Sequence, residues 1–82
     1  MVVALSYRKK PYPRNSDIAE AIKEVMSRNP LIHPGDFVDY VKRLLEEKGF
    51  YTGLVTGKRI WRIYERMVKR GEIVDFLDVV KE

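Results

Sequence analysis

Three helix stops cut this chain into pieces whose length and pattern leave few folds open. Asn29-Pro30, Gly49 and Gly71 each fall where a run of apolar residues at helical spacing ends. Pro30 pushes the residue before it out of the α region, and a glycine just past a periodic run is a common left-handed helix cap. Before the first stop, Ile18, Ala21, Ile22, Val25 and Met26 share one helical face. Asp17 followed by Glu20 suits a capping box, with the helix starting near Ser16. Pro34-Gly35-Asp36 opens a second helix whose inner face is Phe37, Val41, Leu44 and Leu45, flanked by Val38 and Tyr40. A turn over Phe50–Val55 follows, with Gly53 inside it, and Thr56 caps a third helix that stops before Gly71. Within 82 residues, three amphipathic helices can share only one small core.

The two ends read differently. Val2–Tyr7 is β-branched and aromatic, the habit of a short strand. Arg8-Lys9-Lys10-Pro11-Tyr12-Pro13-Arg14 follows, where two prolines forbid a helix and four positive charges forbid a core. It is predicted to be an extended basic arm. Beyond Gly71, Ile73, Val74, Val79 and Val80 favour a strand, while Ile73, Phe76, Leu77 and Val80 also lie at helical spacing. The preferred reading is a strand from about Glu72 to Phe76, paired with Val2–Tyr7 or with the short apolar connector Leu31-Ile32. The expected architecture is therefore α+β but mainly α, in one domain over 1–82. Residues 1–15 form a strand and basic arm, 16–71 a three-helix core, and 72–82 a C-terminal strand or short helix, the terminal strands making a minimal β-sheet.

Several classes of function find no support. With no cysteine, disulfides and thiolate metal sites are excluded. The N-terminal apolar run precedes its basic residues, the wrong order for a signal peptide, and is too short to span a bilayer. A cytoplasmic protein without membrane attachment is expected. The absence of Gln beside abundant Lys, Arg and Glu is the compositional habit of heat-adapted proteins. His33, the lone histidine, stands before Asp36 and Asp39, but acids in a first helical turn are explained by the helix dipole, and no metal is expected. Ser6, Ser16 and Ser27 have no base near them in sequence, and Gly53 to Lys58 lacks the spacing of a phosphate loop. Neither catalysis nor a cofactor is expected.

Charge carries the functional signal. The chain is +4 overall, but residues 1–15 carry +4, 16–55 carry −2, 56–71 carry +5 and 72–82 carry −3. The stretch Thr56–Arg70, TGKRIWRIYERMVKR, holds six basic residues against one Glu. On a helical wheel Lys58, Arg59, Arg62, Arg66, Lys69 and Arg70 fall within an arc of roughly 120°. Ile60, Tyr64 and Met67 centre the opposite face, and Glu65 sits at the edge of the basic arc, within reach of Arg62 or Lys69. Outer faces usually alternate in sign, because like charges one turn apart repel by a few tenths of a kcal/mol. Arg59, Arg62, Arg66 and Arg70 accept that repulsion along the whole helix, which phosphates opposite them would remove. Thr56-Gly57 adds the exposed N–H groups and positive dipole of a helix start. Trp61 and Tyr51 could stack on bases, although partial burial or a dimer contact accounts better for Trp61.

The order helix, short apolar segment, helix, turn, basic helix, then Lys69-Arg70-Gly71-Glu72-Ile73, resembles the winged helix-turn-helix domains of archaeal and bacterial DNA-binding proteins. The likeness covers about Asp17–Phe76 and is most specific over Val55–Ile73. It implies double-stranded DNA binding, with the third helix in the major groove and a role in transcription regulation or nucleoid structure. Carried over, Lys58, Arg59 and Arg62 would reach base edges, while Arg66, Lys69 and Arg70 would reach phosphates, on a helix begun at Thr56 and Gly57. The turn before the third helix is longer than in the tight motif, and the eleven residues after Gly71 are few for a two-stranded wing. The arm residues Arg8, Lys9, Lys10 and Arg14 would then replace the wing on the backbone. A homodimer through the terminal segments is expected. RNA binding in a ribonucleoprotein, or an interaction module for an acidic protein, are the alternatives.

Overall fold

The computed structural model describes residues 10–80. Three helices form in the predicted order: α1 (Asn15–Arg28), α2 (Pro34–Glu47) and α3 (Gly57–Lys69). Each turns its apolar stripe to a shared centre, where Ile18, Ala21, Ile22, Phe37, Val41, Leu45, Ile60 and Tyr64 are fully buried. Side chains of this size contribute about 1.5–3 kcal/mol each on leaving water. Trp61 packs on Phe37, with ring centroids 4.9 Å apart, and Tyr64 meets both rings edge-on. Every helix touches the other two.

The helix ends follow local chemistry. The expected Asp17–Glu20 capping box does not form: Asp17 is the third residue of α1 and accepts the N–H of the cap residue Arg14 at 2.8 Å, so the helix starts slightly earlier than the spacing suggests. The Arg14 guanidinium has no acceptor for a reciprocal bond. His33 caps α2, its Nδ1 accepting the Gly35 N–H at 2.9 Å. Gly49 and Gly71 both take the left-handed conformation, φ 95° and 75°. At α2 the N–H groups of Gly49 and Phe50 return to Glu46 and Leu45, and at α3 those of Gly71 and Glu72 return to Val68 and Met67. Both ends are Schellman motifs. Glu24 on α1 binds Lys48 at 3.0 Å and Arg28 at 2.7 Å, tying α1 to the end of α2. The Lys48 hydrogen bond above all holds its carboxyl below the ordinary range.

Between the Gly49 cap and the Thr56 cap the connection is the expected turn over Phe50–Val55. Thr52 and Val55 are buried within it, Thr52 donating to Glu46 Oε2 at 2.5 Å. The expected β-sheet, by contrast, is absent among the described residues, including Leu31-Ile32 and Glu72–Phe76. Val2–Tyr7 lies outside the described residues. The segment after Gly71 is instead an irregular strap folded around Asp75. That carboxylate accepts the Tyr64 hydroxyl at 2.6 Å, the Val79 N–H at 3.3 Å and the Val80 N–H at 2.9 Å. Leu77 is buried against the core, and Asp78 turns the chain with φ 55°. A strand would have to give up these bonds for ladder partners that residues 10–80 do not supply.

Candidate nucleic-acid interface

The basic face lies on α3. Thr56 caps the helix by accepting the Arg59 N–H at 3.1 Å, which leaves the N–H groups of Gly57 and Lys58 without intrahelical acceptors. Ile60, Ile63, Tyr64 and Met67 face the core, whereas Lys58, Arg62, Arg66, Lys69 and Arg70 are exposed. The wheel therefore divides the helix correctly, with one exception.

Arg59 turns inward along the start of α1. Its Nη2 donates to the Pro13 carbonyl at 3.1 Å and to Asn15 Oδ1 at 3.0 Å, and its Nε reaches the same oxygen at 3.3 Å. A guanidinium held by three such bonds is a strut between two helix starts. The role of a base-reading side chain expected of Arg59 is thus taken up internally. The strut also brings Arg14, the residue before α1, to the same end of the molecule as Thr56, Gly57 and Lys58.

The remaining cations fall into two groups. Lys69 lies 3.6 Å from Glu65, and Arg70 lies 3.9 Å from Glu72. Exposed pairs of this kind contribute between zero and about 1 kcal/mol, so a phosphate can displace them. No ion pair among the described residues involves Lys58, Arg62 or Arg66. These three are spaced one turn apart along about 12 Å of helix, the width of a major groove. Lys58, Arg62 and Glu65 border a shallow hollow with Trp61, Val79 and Val80, where the strap runs beside the helix.

The strap is acidic, and among the described residues its Asp75 forms no ion pair with this face. Burial pulls its carboxyl upward, but hydrogen bonds from the Tyr64 hydroxyl and from the N–H groups of Val80, Val79 and Asp78 hold it below the ordinary value. Burial, and then the same carboxylate, push the Tyr64 phenol well above its usual range. Nothing in the spacing of Asp75 announces this role, because its partner is on another element.

Of the basic arm, Arg8 and Lys9 lie outside the described residues. Lys10 and Arg14 are exposed, but between them the chain is fastened: the Tyr51 N–H donates to the Pro11 carbonyl at 2.9 Å, and Pro13 is buried. The described part of the arm, residues 10–14, forms no helix and is fastened to the α2–α3 connection at Tyr51, with Pro13 buried where no core contact is expected. Trp61 is half-buried by its aromatic neighbours, as its place on the flank of the helix suggests. No group of residues suited to a metal ion occurs among the described residues, nor is any helix there long and apolar enough to cross a membrane. Comparison of the chain with protein-family models, with curated proteins and with solved structures found no match.

Proposed function

We propose that the protein binds double-stranded DNA through the outer face of α3, as a transcription regulator or nucleoid component of winged-helix-like design without a β wing in its described part. One observation carries the reading: Lys58, Arg62 and Arg66 stand in a row with no carboxylate partner among the described residues. Like charges arranged so repel one another in water and are relieved by a row of phosphates. The start of α3, with its outward N–H groups and nearby Arg14, offers a seat for one further phosphate. In this arrangement Lys58 and Arg62 approach base edges, Arg66 and the displaceable pair Lys69 and Arg70 meet the backbone, and Lys10 and Arg14 follow the adjacent strand. Val74, Phe76 and Val79 leave apolar surface on the strap. A second copy meeting it there would present two α3 helices to two half-sites.

Competition tests the assignment. Unlabelled duplex DNA is expected to displace a labelled duplex more effectively than structured RNA does, and Arg62→Ala with Arg66→Ala should weaken binding at least tenfold while the fold persists. Better competition by RNA would move the function to a ribonucleoprotein. Unchanged affinity in the double variant would remove α3 from the interface.

A further inference from the structure

Tyr12 stands between two prolines whose backbone is clamped on both sides. The Pro11 carbonyl accepts the Tyr51 N–H at 2.9 Å, and the Pro13 carbonyl accepts the Arg59 guanidinium at 3.1 Å. Proline rings lock φ at both flanking positions, so Tyr12 has little backbone freedom. Its ring meets that of Tyr51 at a centroid distance of 5.4 Å and a tilt of 41°. Tyr51 in turn lies across Gly53, where any Cβ would overlap the phenol. Both rings are positioned firmly, yet Tyr12 is 63% exposed and Tyr51 44% exposed.

Fastening the arm to the loop explains the contact but not the exposure. Aromatic pairs gain about 0.5–1.5 kcal/mol beyond their buried area, a role that needs the rings against each other or the core. Here their outer faces line a shallow hollow with Lys10 and Pro11. One cation, Lys10, borders that hollow, and Arg59 links the segment to the start of α3. Glu46 borders the adjoining hollow, where it accepts the Thr52 hydroxyl. Exposed aromatic rings beside a lysine, joined to the helix proposed to meet phosphates, match the chemistry of a nucleobase attached to its backbone.

We propose that Tyr12 and Tyr51 form a stacking platform for unpaired bases, so that the protein favours duplexes carrying a single-stranded overhang over blunt ones. This rests on the nucleic-acid reading of α3. The bases leaving the duplex end stack on the two rings, and Lys10 neutralises the phosphate between them. A platform of this kind is indifferent to base identity, since every base presents a π face.

The test measures binding, by fluorescence anisotropy, of a blunt duplex, the same duplex with a thymidine overhang, and one with an abasic overhang of equal length. The abasic strand has the same phosphates and no bases. The wild-type chain is expected to bind the thymidine overhang about tenfold more tightly than the abasic one. A variant with Tyr12→Leu and Tyr51→Leu keeps apolar bulk at both positions. It should lose that ratio while retaining its helix content by circular dichroism and its affinity for the blunt duplex. Equal binding of the thymidine and abasic overhangs by the wild type, or a ratio preserved in the variant, overturns the platform and leaves the reading of α3 standing. Binding of none of the three ligands overturns both. A proline-rich peptide bound through the same two tyrosines, without a thymidine preference, overturns the platform in favour of a peptide groove.

Discussion

Arg59 and Arg62 lie one turn apart on α3 and do different work. The first ties α3 to Pro13 and Asn15 through three hydrogen bonds, and the second is exposed. Arg59→Ala is therefore expected to lower stability by about 1–2 kcal/mol in denaturant titrations. Arg62→Ala should remain within about 0.5 kcal/mol of the parent and weaken DNA binding. Asp75 supplies a pH test. Its folded carboxyl titrates below the ordinary value, so the stability it contributes is complete above the unfolded pKa and is lost as pH falls through the folded one. Asp75→Asn places an amide where the Val80 N–H now finds an oxygen. The variant should be less stable near neutrality, and its deficit should shrink as pH falls below about 4. A deficit that is independent of pH would show that the carboxylate charge plays no part. The wheel misplaced Arg59 for a physical reason: periodicity assigns a side chain to a face, whereas its acceptors lie more than forty residues away.

At the scale of elements, the parts legible in the sequence are those determined by near neighbours. Gly49 and Gly71 end α2 and α3 because an αL residue lets two N–H groups turn back on the last carbonyls. Thr56 caps α3 through a bond to a residue three positions on. Gly71→Ala should cost about 1–2 kcal/mol, the penalty of a Cβ in the left-handed region. Thr56→Ala should cost about 1 kcal/mol. Thermal melts of both variants would check these values. The strap was not legible in this way. Its β-branched residues suited a strand and its spacing suited a helix, but the outcome depends on Asp75 meeting Tyr64 across the fold. The exposed pair Tyr12 and Tyr51 was equally hidden, since neither the Pro11 carbonyl nor the turn at Gly53 marks them as neighbours in sequence.

At the scale of the molecule, positive charge gathers on α3 and on the arm that precedes α1, while the strap and the middle of the chain are acidic. Such a distribution orients a protein towards a polyanion before contact is made. Sedimentation of the wild type beside Phe76→Asp addresses association: the proposed dimer requires the parent to be the heavier species and the variant to be monomeric. The central claim, that α3 binds a duplex backbone, is tested most directly by the salt dependence of duplex DNA affinity. Lys10, Arg14, Arg66, Lys69 and Arg70 together neutralise about five phosphates, so log affinity is expected to fall against log salt with a slope of about −4 to −5 per protomer. A slope near zero, or no binding at low salt, would contradict the account.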